Sequence, residues 1–175
     1  MVTAVAMTRA ISLRLCALLP LLCPVAAHAA PVSANSTGKA VILKSLSVLK
    51  QADLDFGSLI VSGAGTAVID PVSGATTTTG PVTPTGNPGH AAQFTATGTK
   101  NSIVIIRVPN APVTLTRVGG TETMTVSTWT LDGPVNRKIP LNNAFNFSVG
   151  GTLNIAAGQV DGTYTGTFTV QVNYP

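Results

Sequence analysis

Cysteine, histidine and charge are all scarce in this chain, and each scarcity removes a class of chemistry. The two cysteines, Cys16 and Cys23, both lie near the start. Beyond them the chain has no thiol nucleophile, no pair to bridge and no Cys/His spacing for zinc. The histidines are His28 and His90. A serine hydrolase needs a base beside its nucleophile, and no G-x-S-x-G elbow exists for His90 to serve. In its N-P-G-H setting, His90 reads as a solvated loop residue. Charged residues make up 9% of the sequence, and Lys and Arg are scattered, which leaves no nucleic-acid footprint. Among the acids only Asp53 and Asp55 stand close. On a strand they share a face, which suits either a hard cation such as calcium or two solvated carboxylates beside inward-facing Leu54 and Phe56. Gly63-Ala64-Gly65 and residues 98–102 begin like nucleotide loops but complete neither motif, so both read as turns. The expectation is a protein that is not an enzyme, with no catalytic residue, cofactor or metal.

Residues 1–29 read as a signal peptide. Arg9 and Arg14 form a basic start, residues 15–27 an apolar core broken by Pro20 and Pro24, and Ala27-His28-Ala29 a small-x-small cleavage site. The apolar run is too short for a membrane span, so no transmembrane segment is expected after processing. Cleavage after Ala29 leaves 146 residues (30 to 175), with eight Lys and Arg against six Asp and Glu. A chain of that length supports a single core without disulfides.

What the sequence does contain is Thr, Gly and aliphatic alternation. Its clearest strand is residues 162–175. The even positions are Gly162, Tyr164, Gly166, Phe168, Val170, Val172 and Tyr174, and the odd positions from Thr163 to Asn173 are all polar. Period-two alternation in β-branched and aromatic residues marks a half-buried strand. Upstream, residues 40–49 read as a strand with Ile42, Leu46 and Val48 on one face. Residues 102–108 read as a central strand buried on both faces. The parity change between Val126 and Trp129 suggests a bulge. Phe145, Phe147, Val149, Leu153 and Ile155 keep one parity across Gly150-Gly151, which mark either a bend in one strand or a turn between two. Residues 71–90 carry repeated Pro and Gly, with Thr76–Thr79 as a candidate edge strand. Strands of this length and spacing, without helical periodicity, predict an all-β antiparallel sandwich over residues 40–175. Residues 30–39 have two readings: a flexible terminus, or an extended segment able to add to another sheet.

The D-L-D-F-G stretch at residues 53–57, Met124-Thr125-Val126, residues 149–153 (V-G-G-T-L) and residues 162–170 (G-T-Y-T-G-T-F-T-V) resemble the bacterial domain-of-unknown-function 4402 family. More distantly, the chain end is similar to the pilins of the chaperone–usher pathway, in its archaic, spore-coat-U-like branch. Those proteins end in an alternating strand with a penultimate aromatic and a glycine fourteenth from the end, positions held here by Tyr174 and Gly162. The chain departs from them in lacking a cysteine pair after processing and in placing Gly166 where they carry Asp.

That resemblance implies an immunoglobulin-like sandwich completed by a donor strand. A periplasmic chaperone would lend it beside Gly162 to Tyr174, and the N-terminal segment of a like subunit would replace it at an outer-membrane usher. The function it implies is an exported structural or adhesive subunit of a fimbrium, periplasmic in transit and displayed at the cell surface. The alternative is a self-complete secreted or surface sandwich that binds carbohydrate or another ligand, with Trp129 and residues 71–90 as contributors.

Overall fold

The computed structural model describes residues 32–175. The signal-peptide reading of residues 1–29, with Cys16 and Cys23, therefore lies outside the described residues, as do Ala30 and Pro31. Residues 32–40 are exposed and carry no strand. The remainder, Val41–Pro175, is a separate compact unit. Its strands are β1 (Ser47–Ala52), β2 (Ser58–Val61), β3 (Gly65–Ile69), β4 (Thr76–Thr79), β5 (Val82–Thr85), β6 (Ala92–Thr97), β7 (Ile103–Arg107), β8 (Val113–Arg117), β9 (Thr123–Leu131), β10 (Asn136–Lys138), β11 (Ala144–Ile155), β12 (Tyr164–Thr165) and β13 (Gln171–Asn173). Every pairing among them is antiparallel, and the described residues contain no helix.

β11 organises the sheet that forms one layer. Its apolar positions Phe147, Val149, Leu153 and Ile155 are buried, as the shared parity predicts. Its first half pairs β6 and its second half β3, while β9 runs along the other edge. Around it the sheet is ordered β1-β6-β11-β9-β8-β12, with β4 outside β3. Gly150 sits at the changeover from β6 to β3. A Cβ there would run into the Ile69 carbonyl oxygen, so close backbone approach demands glycine. The two glycines thus lie inside one strand. Opposite them, β9 slips register between Thr130 and Ser127, and Thr128 adopts φ 50°. This is the bulge signalled by the parity change before Trp129.

The other layer is in two pieces. One is the three-stranded sheet β10-β7-β13, the other the hairpin-like pair β2-β5. Ala92, Phe94, Ala96, Phe147 and Val149 of the large sheet pack on Val104, Ile106, Ile139 and Val172 beneath the first piece. Val126, Ala67, Ile69, Leu153 and Ile155 pack with Phe56, Val82 and Ala91 beneath the second. Leu54 and Trp129 touch both clusters. The architecture is an all-β, sandwich-like arrangement of antiparallel sheets, and Thr76–Thr79 forms an edge strand within residues 71–90.

Three expectations need correction. The first strand begins at Ser47, not at residue 40. Ile42 is 93% exposed and Val48 lies at the surface, while Leu46 alone of that face packs inward. The reason is that β1 pairs only β6 and extends past the edge of the core. Next, β7 is central in its sheet but alternates: Val104 and Ile106 are buried, whereas Ile103 is exposed. Only one face of that sheet meets the other layer, so burial on both faces does not arise. The third correction concerns residues 162–175, which are not one strand. They form β12 against β8 in the large sheet and β13 against β7 in the smaller one. The chain crosses from one layer to the other, and residues 166–170 between them belong to no strand.

Candidate functional site

The even-numbered side chains of the last segment face inward as the alternation predicts, even where the ladder lapses. Val172 is buried; Tyr164, Phe168, Val170 and Tyr174 are half-buried; the odd positions are exposed. Phe168 lies 4.6 Å from the Trp129 ring and 6.4 Å, edge-on, from Phe94. Tyr164 donates its hydroxyl to the Val160 carbonyl at 2.6 Å and accepts from Gln159 Nε2 at 2.6 Å. The Tyr174 hydroxyl donates to the Lys44 carbonyl at 2.8 Å and accepts the Thr99 N–H at 2.9 Å. Gly162 takes φ +142°, and a Cβ there would meet Arg117 Cδ at 2.9 Å. A side chain at that position would be strained in backbone and crowded at once.

Between the β2 side of the second layer and the β12 segment of the large sheet runs a groove of about 1020 Å³. One wall is residues 53–59 with Val61, the other residues 159–168, and the floor includes Phe94, Val126, Trp129 and Ile155. β2 pairs only β5, and β12 pairs only β8. Each wall therefore carries a strand with one unpaired edge, and residues 166–168 add a stretch with no ladder at all. Leu54, Leu59, Val61, Leu115, Met124, Trp129 and Phe168 line the groove and are only half-buried. Full burial of a large apolar side chain is worth ~1.5–3 kcal/mol. Covering seven half-exposed ones would contribute on the order of 5–10 kcal/mol as an upper bound. That rivals the ~5–15 kcal/mol stability of a whole domain.

Of the proposed assembly residues, Gly162, Tyr164, Gly166 and Phe168 line this groove. Val170, Val172 and Tyr174 instead pack on the core under the three-stranded sheet. The opposite wall escaped the sequence reading, and so did the part Trp129 plays in the floor. Nothing local in the sequence of β2 marks a strand edge as unpaired.

The Asp53–Asp55 pair is accounted for locally. Asp53 accepts Lys50 Nζ at 2.6 Å, and Asp55 Oδ1 accepts the Gly57 N–H at 2.8 Å. Asp55 also pairs through its backbone with His90, whose Nδ1 lies 3.3 Å from the Ala91 carbonyl oxygen. Among the described residues no group of three or more His, Cys, Asp or Glu is placed to hold a metal ion. What the geometry offers is an apolar slot with hydrogen-bonding walls, the features that accept an extended peptide.

Neither the curated proteins nor the solved structures compared with the chain give a match. A family model described as a domain of unknown function, DUF4402, matches residues 46–174, from just before β1 to the penultimate tyrosine. The chain belongs to the DUF4402 family.

Proposed function

We propose that this chain is a fimbrial, pilus-type structural subunit that assembles by β-strand complementation and has no enzymatic role. The observation that carries this reading is the apolar groove between two unpaired strand edges. A strand laid there would gain main-chain hydrogen bonds from both walls and bury alternate side chains on the floor. Left open, the same edges are an aggregation hazard. The resemblance of Gly162 and Tyr174 to the pilin terminal strand supports the reading, as does the exposed extension before β1. On this account the signal peptide directs export, a periplasmic chaperone covers the groove in transit, and at an outer-membrane usher residues 30–39 of a like subunit take its place at the cell surface.

A ligand-binding sandwich is the less supported alternative. Its natural contact, Trp129, is already engaged by the Phe168 ring and donates its Nε1–H to the Ala111 carbonyl at 3.3 Å. Comparing the processed chain with one lacking residues 30–39 tests the proposal. The full chain is expected to form oligomers that persist in moderate denaturant, and the shortened chain to remain monomeric. Two equally soluble monomers of equal stability would contradict it.

A further inference from the structure

Half of the chain's six carboxylates line one groove. Asp53 and Asp55 stand on its first wall and Asp161 on the second. The remaining three are held locally: Asp70 by Ser73 and Val72, Glu122 by Arg117, and Asp132 by Arg137. Among the described residues the one cation in the lining is Lys50, bound to Asp53. Arg117, packed against Gly162, is bound to Glu122. Asp161 is exposed and, among the described residues, accepts no side-chain hydrogen bond. Three carboxylates thus face the paired Lys50 ammonium around an apolar slot, and the one further cation near them, Arg117 beside Asp161, is itself bound to Glu122.

The exposed segment before β1 has the opposite balance. Residues 32–46 contain Lys39 and Lys44 and no acid. The backbone of Lys44 is tied to its own sandwich, through Thr99 Oγ1 at 2.6 Å and the Tyr174 hydroxyl at 2.8 Å. Lys39 lies five residues upstream of that anchor. We infer that the groove selects its strand by charge as well as by shape. Its occupant is the segment of residues 30–39 from a second copy of this chain, drawn by Lys39 toward Asp53, Asp55 and Asp161. This inference rests on the strand-complementation reading and adds how the partner is recognised.

Charges at an exposed rim steer encounter more than they hold the bound state. Steering raises association rates by roughly 10- to 1,000-fold, and it fades as the Debye length falls from ~10 Å at 0.1 M salt to ~3 Å at 1 M. Trp129, the single tryptophan of the chain, lines the groove and reports occupancy directly.

The test is stopped-flow fluorescence of the full chain, kept dilute enough to be monomeric, mixed with excess synthetic peptide of residues 30–39. The association rate is expected to fall by about tenfold or more between low salt and 1 M salt. A Lys39→Glu peptide is expected to associate about tenfold more slowly at low salt, and Asp161→Asn in the protein to flatten the salt dependence. Binding at a rate indifferent to salt and to the sign of residue 39 overturns the inference and leaves strand complementation standing. Failure of every peptide to bind at any salt overturns both.

Discussion

Tyr174 shows how much one side chain near the chain end accomplishes. Its ring packs on the core, while its hydroxyl bridges the Lys44 carbonyl and the Thr99 N–H, joining the start of the sandwich to its end. Tyr174→Phe keeps the ring and strips both bonds. We expect a loss of about 1–3 kcal/mol, read as a lower midpoint in urea unfolding with unchanged slope. Val172 makes a harder test of facing. It is buried, so Val172→Asp places an unpaired charge in the core and should abolish folding. Exposed Thr169→Asp should change stability by less than about 0.5 kcal/mol. Equal effects from the two would refute the assigned parity.

Glu122 gives a pH dependence at the same scale. Its hydrogen bond with Arg117, aided by its own backbone N–H, lowers its pKa from the ordinary 4.5 to about 2. A carboxylate depressed by folding stabilises the protein fully above its unfolded value, and that contribution is lost as pH falls through the folded one. Glu122→Gln should therefore be less stable than the parent at pH 7. The gap should close between pH 4.5 and about 2 in a series of thermal melts. A gap that persists at the acid end would assign the difference to something other than ionisation.

At the scale of elements, alternation told which side chains face inward but not what the backbone pairs with. Residues 162–175 keep their parity from Tyr164 to Tyr174 although they leave one sheet and join another. Side-chain burial depends on the chain's own pleat, whereas pairing depends on strands distant in sequence. The same distinction explains β7, whose nearly continuous aliphatics hide a one-sided strand. It also explains β1, whose Val48 and Leu49 have no layer above them. The bulge in β9 was legible because a parity slip is written locally. Gly150 was ambiguous from sequence because the constraint on it is the Ile69 carbonyl of another strand. Gly150→Ala should cost about 1–3 kcal/mol by forcing β3 and β11 apart. A calorimetric melting temperature matching the parent would show that the strands can yield.

At the scale of the whole molecule, the divided second layer is the central feature. Two clusters of core residues meet at Leu54 and Trp129, and the groove opens over that junction, between residues 53–61 and 159–168. Half of this candidate site was visible in sequence, in Gly162, Tyr164, Gly166 and Phe168. The other half was not, because an unpaired edge is a property of sheet order and no residue pattern states it. Scarce charge carried more information than its amount suggests, since three of the six acids gather at this one slot. Under the proposed function, residues 166–168 and the β2 edge accept a strand from a second copy.

Hydrogen exchange measures this most directly. In the chain lacking residues 30–39, amides of residues 166–168 should exchange as freely as those of a loop. In the assembled full chain, the amides on the groove-facing edges of residues 54–61 and 166–168 should become protected together. Assembly that leaves both stretches exchanging as in the shortened chain would contradict strand addition in this groove.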